Sequence, residues 1–269
     1  MKDLTKLARS RCFMLDMDGT FYLGDKLLPG ALEFLELMER RGTRCMFLTN
    51  NSSRSRKEYV AKLACFGVEI DEKSIFTSGE ATALWLKRER PGARICVIGT
   101  PALEDEFRRF GFELVDDDPE AVVLGFDTTL TYEKLCRLCD FARAGLPYIA
   151  THPDINCPTE SGFIPDIGAI MELVATSTGR RPDVIIGKPY APMAEALAVK
   201  TELDLDQITM VGDRLYTDIA LGRNGLSTVL VLSGETAAED LENSEFTPDY
   251  VMRDLAELVD TLERMGESA

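Results

Sequence analysis

The chain has 269 residues, 45% hydrophobic and 28% charged, an ordinary composition for a soluble globular protein and long enough for one large or two modest domains. Its 30 lysines and arginines face 46 aspartates and glutamates, and the resulting formal charge of −16 argues against nucleic acid or an anionic membrane surface as a partner. No apolar run reaches transmembrane length, the basic residues before Cys12 lead into no signal-like stretch, and the seven scattered cysteines favour free thiols, so a cytoplasmic setting is expected. Cys136-x-x-Cys139 is the one close cysteine pair, and without a second pair nearby zinc is not expected.

The first predicted strand, Cys12-Phe13-Met14-Leu15, stops abruptly at Asp16-Met17-Asp18-Gly19-Thr20. Side chains alternate in a strand, so Asp16 and Asp18 start on the same side, and Gly19 lets the chain turn sharply beside them. Two carboxylates so placed repel unless a cation or a shared proton relieves them. That suits Mg²⁺, with one aspartate as nucleophile and the other as acid/base. A helix is predicted from about Gly30 to Arg41, apolar at Leu32, Leu35 and Met38. The strand-like Arg44–Leu48 then runs into Thr49-Asn50-Asn51-Ser52-Ser53, where Ser52 or Ser53 caps a helix that stops near Gly67. A short strand, Ser74 to Thr77, closes this first part.

From about Gly79 to Pro182 a second alternating series appears, with strands at Ala93–Gly99, Ala121–Phe126 and Pro147–Thr151. Its helices begin near Glu80, Leu103 and Thr131, with a fourth from about Gly168 to Thr178. These strands suffice for a separate sheet. The acidic runs Glu104–Glu106 and Asp116–Asp118 read as solvated edges. A polar cluster, Thr151 to Glu160, contains the chain's single histidine, His152, together with Asp154. Strand Val184–Gly187 then meets Lys188-Pro189, Ile208–Gly212 meets Asp213 with Asp218 five residues on, and Ser227–Leu232 precedes a last helix at Leu255–Met265.

Four apolar runs thus end at Asp16, Thr49, Lys188 and Asp213, as an open parallel sheet would place a site at its strand ends. The set, in this order, resembles the haloacid dehalogenase (HAD) superfamily of phosphohydrolases, nearest the branch of NagD-type and 4-nitrophenyl-phosphate phosphatases. The resemblance implies an α/β fold with a doubly wound, mostly parallel, Rossmann-like core over residues 1–78 and 183–269, and an inserted α/β cap domain over 79–182. It implies a Mg²⁺-dependent phosphatase acting on a small phosphorylated metabolite through an aspartyl phosphate. Asp16 is then the nucleophile and Asp18 the acid/base. Asp16, the backbone carbonyl of Asp18, and Asp213 would ligate the metal, while Thr49, Asn50 and Lys188 hold the phosphoryl group. Asp218 is either a helix cap or a group behind Lys188 or a metal-bound water. His152 and Asp154 lie on a loop that in the family contacts the leaving group, although asparagine is usual where His152 stands; substrate contact and a surface histidine with a local hydrogen bond both remain open. A phosphotransferase or mutase of the same fold, or a phospho-accepting receiver-like module, are the alternative readings, and the resemblance is compatible with a homodimer.

Overall fold

Parallel pairing dominates the computed structural model, which describes residues 4–159 and 162–266; Glu160 of the polar cluster lies outside them. Six strands form one sheet in the order Tyr250–Met252, Ser227–Val231, Ile208–Gly212, Cys12–Leu15, Arg44–Thr49, Ile75–Thr77. Cys12–Leu15 pairs in parallel on both sides, Leu15 lying opposite Val211 and Phe47. The strand order reverses around Cys12–Leu15, which makes its carboxyl end the topological switch point of the sheet. All four of its residues are buried, because helices cover both faces of such a sheet and alternation disappears.

The helix Ala31–Arg41 buries Ala31, Phe34, Leu37 and Met38, so of the Leu32, Leu35 and Met38 stripe expected from the sequence only Met38 is buried. The Phe34 ring meets Phe13 edge-on with centroids 5.5 Å apart, which fixes the rotation of the helix and leaves Leu32 41% exposed.

The chain divides into two compact units, Met1–Leu48 with Val60–Phe76 and Leu197–Ala269, and Thr49–Tyr59 with Thr77–Ala196. The second has its own five-stranded sheet, ordered Val184–Ile185, Tyr148–Ala150, Ala121–Leu124, Arg94–Ile98, Glu113–Leu114, again with parallel pairings. Three of its helices are capped by threonine: Thr77, Thr100 and Thr131 each accept a backbone N–H of the first turn, with Pro101 just inside the second of these helices.

These boundaries differ from the expected 1–78, 79–182 and 183–269 in two places. Val184 pairs opposite Ile149, so the strand leading to Lys188 extends the second sheet instead of returning to the first. Residues 49–59 also belong to the second unit, and the polar chemistry of the loop explains why. Ser52 Oγ accepts from Phe126 N at 2.9 Å and bonds Thr151 Oγ1 at 3.0 Å, while Thr100 Oγ1 donates to Ser53 O at 2.8 Å. Ser52 and Ser53 are therefore spent on strand ends and cap nothing. The helix Arg56–Cys65 is capped by Ser55, whose hydroxyl accepts from Glu58 N while Glu58 reaches back to Ser55 N. Glu106 is likewise no solvated edge: it is buried and paired with Arg56 at 3.2 Å. Among the described residues no helix is long and apolar enough to cross a membrane.

Phe34→Ala should cost about 3–5 kcal/mol by emptying a fully buried site, whereas Leu32→Ala should cost under about 1 kcal/mol. Urea midpoints of the two variants check this, and equal losses would mean the helix is rotated from the orientation described.

Candidate active site

In the first unit three carboxylates converge. Ligand atoms of Asp16, Asp213 and Asp218 all lie within 4.8 Å of one another, with Asp16 half-buried and the other two buried. Asp16 follows directly on the central strand and its backbone N–H donates to Val211 O at 2.9 Å, so the rigid sheet sets its position. Asp218 comes back from the turn Leu215–Ile219 toward the strand end, and its Oδ2 accepts from Arg214 N at 3.1 Å. Arg214, not Asp218, stands at the cap position of that segment, and Asp218 is a candidate ligand beside the other two.

Close approach explains the glycines here. Gly19, at φ 89°, carries the turn in a left-handed conformation, and a Cβ there would overlap the Asp213 carboxylate. A Cβ on Gly212 would overlap Asp218. Asp213 Oδ2 accepts from Glu235 N at 2.7 Å, and Ser233 Oγ donates to Gly19 O at 2.9 Å, tying the loop after Ser227–Val231 into the same cluster.

Arg214, given no role on sequence grounds, lies in the field of these acids. Burial alone would loosen its proton, but Asp16, Tyr216, Glu235 and Asp213 hold the guanidinium pKa above the ordinary arginine value. Its Nε sits 2.9 Å from Glu235 Oε2. A basic residue between Asp213 and Asp218 was the signal available. Asp18 is exposed, and the Tyr22 hydroxyl donates to its Oδ2 at 3.4 Å. Tyr22 is itself held by stacking on Phe66 and by Lys62 Nζ 3.9 Å from the ring centroid.

The resemblance implies a divalent cation, and the residues of the first unit fit one. Three carboxylates form an all-oxygen donor set of the kind hard divalent cations take, and the glycine-lined crowding around Asp213 and Asp218 presses like charges together in a way that such a cation relieves.

The second unit brings together Asn50, Lys188 and Asp154. The Asn50 side chain is fully engaged: Oδ1 accepts from Lys188 N at 2.9 Å, and Nδ2 donates to Lys188 O at 3.1 Å and to Asp154 Oδ1 at 3.0 Å. It braces the Lys188 backbone much as a neighbouring strand would, and leaves the Asn50 main chain for any ligand contact. Thr49 is buried and its Oγ1 accepts from Asn51 N at 3.1 Å, which leaves its own hydrogen to donate. Asn51 in turn holds Ser53 through N–H and hydroxyl bonds of 2.8 and 2.7 Å.

His152 is not on the surface. It is fully buried, with Nε2 3.0 Å from Asp166 Oδ1 and Nδ1 2.9 Å from Thr151 Oγ1, so neither nitrogen is offered to a substrate. His152, Asp154 and Asp166 place ligand-type atoms within 4.8 Å of one another, but these atoms are spent on the imidazole–carboxylate bond and on Asn50. Burial pushes the imidazole pKa down; Asp166, by charge and hydrogen bond, and Asp154 push it up against Lys188, and the net shift is upward.

Two family models match the chain: haloacid dehalogenase-like hydrolase over residues 13–113, and HAD-hydrolase-like over residues 185–258. An acid sugar phosphatase of Staphylococcus saprophyticus is 34% identical over 256 residues, spanning 94% of this chain and 98% of its own. The crystal structure of a 4-nitrophenylphosphatase from Thermotoga maritima is similar with a TM-score of 0.91 at 48% identity, covering 95% of this chain and 98% of that one. A glycerol phosphate phosphatase from Mycobacterium tuberculosis, solved in complex with calcium, is similar with a TM-score of 0.87 at 32% identity, covering 94% of this chain and 76% of its own.

A divalent cation at about 100 times its dissociation constant should stabilise the fold by about 2.7 kcal/mol, and Gly212→Ala, by displacing Asp218, should reduce that gain. Thermal melting with and without the cation measures both. A second expectation concerns pH. His152 has a raised folded pKa, so the stability it contributes is fully present below the free imidazole value of about 6.5 and is lost as pH rises through the folded value. The difference in urea midpoint between the native chain and His152→Gln should therefore narrow as pH rises above about 6.5. A difference that widened over that range would reverse the assigned sign.

Proposed function

The chain belongs to the haloacid dehalogenase-like hydrolases, in their NagD and 4-nitrophenylphosphatase branch, and is a phosphoric monoester hydrolase; from that premise we propose that it hydrolyses small phosphorylated metabolites through an aspartyl phosphate on Asp16, with Mg²⁺ as its metal. The observation that carries the reading is the convergence of Asp16, Asp213 and Asp218 at the switch-point end of the first sheet. The names of its relatives, an acid sugar phosphatase, a glycerol phosphate phosphatase and a 4-nitrophenylphosphatase, support small monoesters as the substrate class.

In the first half-reaction an Asp16 oxygen attacks phosphorus, the bond from phosphorus to the alcohol oxygen breaks, and Asp18 gives its proton to the departing alkoxide. In the second, Asp18 takes a proton from the water that attacks the acyl phosphate, releasing inorganic phosphate and restoring Asp16. The exposure of Asp18 suits a group that trades protons with alcohol and water in turn, and the Tyr22 hydroxyl orients it. Held by Asp16, Asp213 and Asp218, with the Asp18 carbonyl as the further ligand that the motif implies, Mg²⁺ would offset the repulsion between carboxylate and phosphoryl oxygens. Thr49 donates its hydroxyl, Asn50 its backbone N–H, and Lys188 its charge to the phosphoryl group. In this reading residues 79–182 of the second unit are the cap domain, Asp154 is its contribution to substrate choice, and the free cysteines accord with action in the cytoplasm.

The purified protein, assayed against sugar, polyol and nucleoside monophosphates and 4-nitrophenyl phosphate, should release phosphate with Mg²⁺ and stop with EDTA. Asp16→Asn should fall to background with an unchanged melting curve, and Asp18→Asn should lose about 10²- to 10⁴-fold in kcat. Turnover retained by Asp16→Asn would sink the covalent route.

A further inference from the structure

The burial of His152 leaves a fully enclosed imidazole–carboxylate pair with no part in the chemistry above. Its hydrogen bonds lead directly to the loop that follows the strand Arg44–Thr49. Ser78 Oγ donates to Asn50 O and also meets His152 Nδ1 at 3.5 Å. A hydroxyl has one hydrogen, so toward His152 it can only accept. Nε2 faces Asp166 Oδ1, a carboxylate oxygen that already accepts from Ile167 N at 2.6 Å and can only accept again. Nε2 is therefore a donor, and a proton on Nδ1 as well, making the ring an imidazolium, would serve the Ser78 oxygen. Nδ1 also meets Thr151 Oγ1 at 2.9 Å, and Thr151 Oγ1 shares a hydrogen bond of 3.0 Å with Ser52 Oγ, itself the acceptor of Phe126 N. The charged groups facing the ring are Asp166, Asp154 and Lys188, the first two favouring its charge and the last opposing it.

Contact is direct as well as hydrogen-bonded. A Cβ added to Gly187, the residue before Lys188, would lie 2.6 Å from His152 Cβ and 2.7 Å from Asn50 Oδ1. His152, the Asn50 amide and the backbone entering Lys188 thus meet with no space between them.

We propose that His152, ion-paired with Asp166, is a positioning residue that fixes the Asn50 main chain through Ser78 and, through the Asn50 amide, the backbone of Lys188, in the conformation that grips a phosphoryl group. This rests on the assignment of Thr49, Asn50 and Lys188 to that grip. A neutral side chain at 152 cannot donate from both ends while pairing with Asp166, so the Ser78 and Ser52 branches lose their common anchor. The loss falls on phosphate affinity, because the Asp16 and Asp18 chemistry is untouched.

Two measurements test it. His152 is the chain's only histidine, so nitrogen-15 NMR of labelled native protein reads its ring without ambiguity. Both nitrogens should carry a proton at neutral pH, and a neutral tautomer would overturn the proposal. Inorganic phosphate is then used as a competitive inhibitor of the native enzyme, His152→Gln, Asp166→Asn and Lys188→Ala. The first two variants should each raise the phosphate inhibition constant about tenfold, with KM rising more than kcat falls. Unchanged inhibition in His152→Gln and Asp166→Asn, with loss in Lys188→Ala, would overturn the positioning role alone. Unchanged inhibition in Lys188→Ala as well would remove the phosphate grip itself, and the proposal with it.

Discussion

Like-charge crowding at the end of one strand is the constraint from which the first unit's site follows. Asp16, Asp213 and Asp218 are brought together by three different connections: a strand end, the next strand end along the sheet, and a turn that folds back. Each approach is steep enough that side chains are excluded opposite it, at Gly19 and at Gly212. A fold gains nothing in stability from burying three carboxylates, since each loses hydration and repels the others. The arrangement persists because sheet register and backbone donors such as Glu235 N and Arg214 N impose it, and because Arg214 lies in the field of the same acids. Groups held against their own repulsion bind a cation without first having to be gathered, which is the sense in which the site is preorganised.

The second unit solves a different problem, that of holding a loop backbone as firmly as a strand. Asn50 does this with one side chain that takes the part of a peptide group, accepting from Lys188 N and donating to Lys188 O. Ser52 and Ser53 do it with hydroxyl and carbonyl groups set on the strand ends near Phe126, Thr151 and Thr100. Buried polar networks of this kind specify one geometry when every member is satisfied and are costly when one is not. That asymmetry makes Asn50, Ser78 and His152 poor places for substitution despite their distance in sequence.

Long apolar runs made the parallel strands legible, because a strand buried on both faces shows as an unbroken hydrophobic stretch, and the polar residue that stops each run marks its carboxyl end. Asp16, Asp213, Thr49 and Lys188 could be placed on strand ends in this way. The sheet that a strand joins is another matter, since Val184–Ile185 reads the same whether it pairs with Tyr148–Ala150 or with the first sheet. Helix caps failed for a related reason: Ser52, Ser53 and Ser55 are equivalent as residues, and only the tertiary demand of nearby strand ends separates the first two from the third. His152 was misplaced because a histidine among proline, aspartate and asparagine has the composition of an exposed loop, while its burial depends on Asp166, fourteen positions on, and on Ser78, far earlier in the chain. Arg214 sat between the two aspartates that gave it purpose, but nothing in a linear pattern shows that its head lies among them.

A formal charge of −16 should repel a phosphate monoester. Salt confines that repulsion, since charges separated by much more than the Debye length of about 8 Å barely act on each other at physiological ionic strength. What remains is local, and in each unit buried cations stand among the acids. Lys188 is buried, so its ammonium is poorly screened by water, and Arg214 keeps its proton because the acids around it hold it. An imidazolium at His152 adds a third cation by a different route. Lysine and arginine carry their charge on long stems, whereas the imidazole ring is compact, with donors at opposite ends, so it can carry charge while stitching two hydrogen-bonded branches together. A chain that needs an acidic surface for solubility can still bind anions if its cations are buried, because burial lowers the effective dielectric around them and raises their short-range pull.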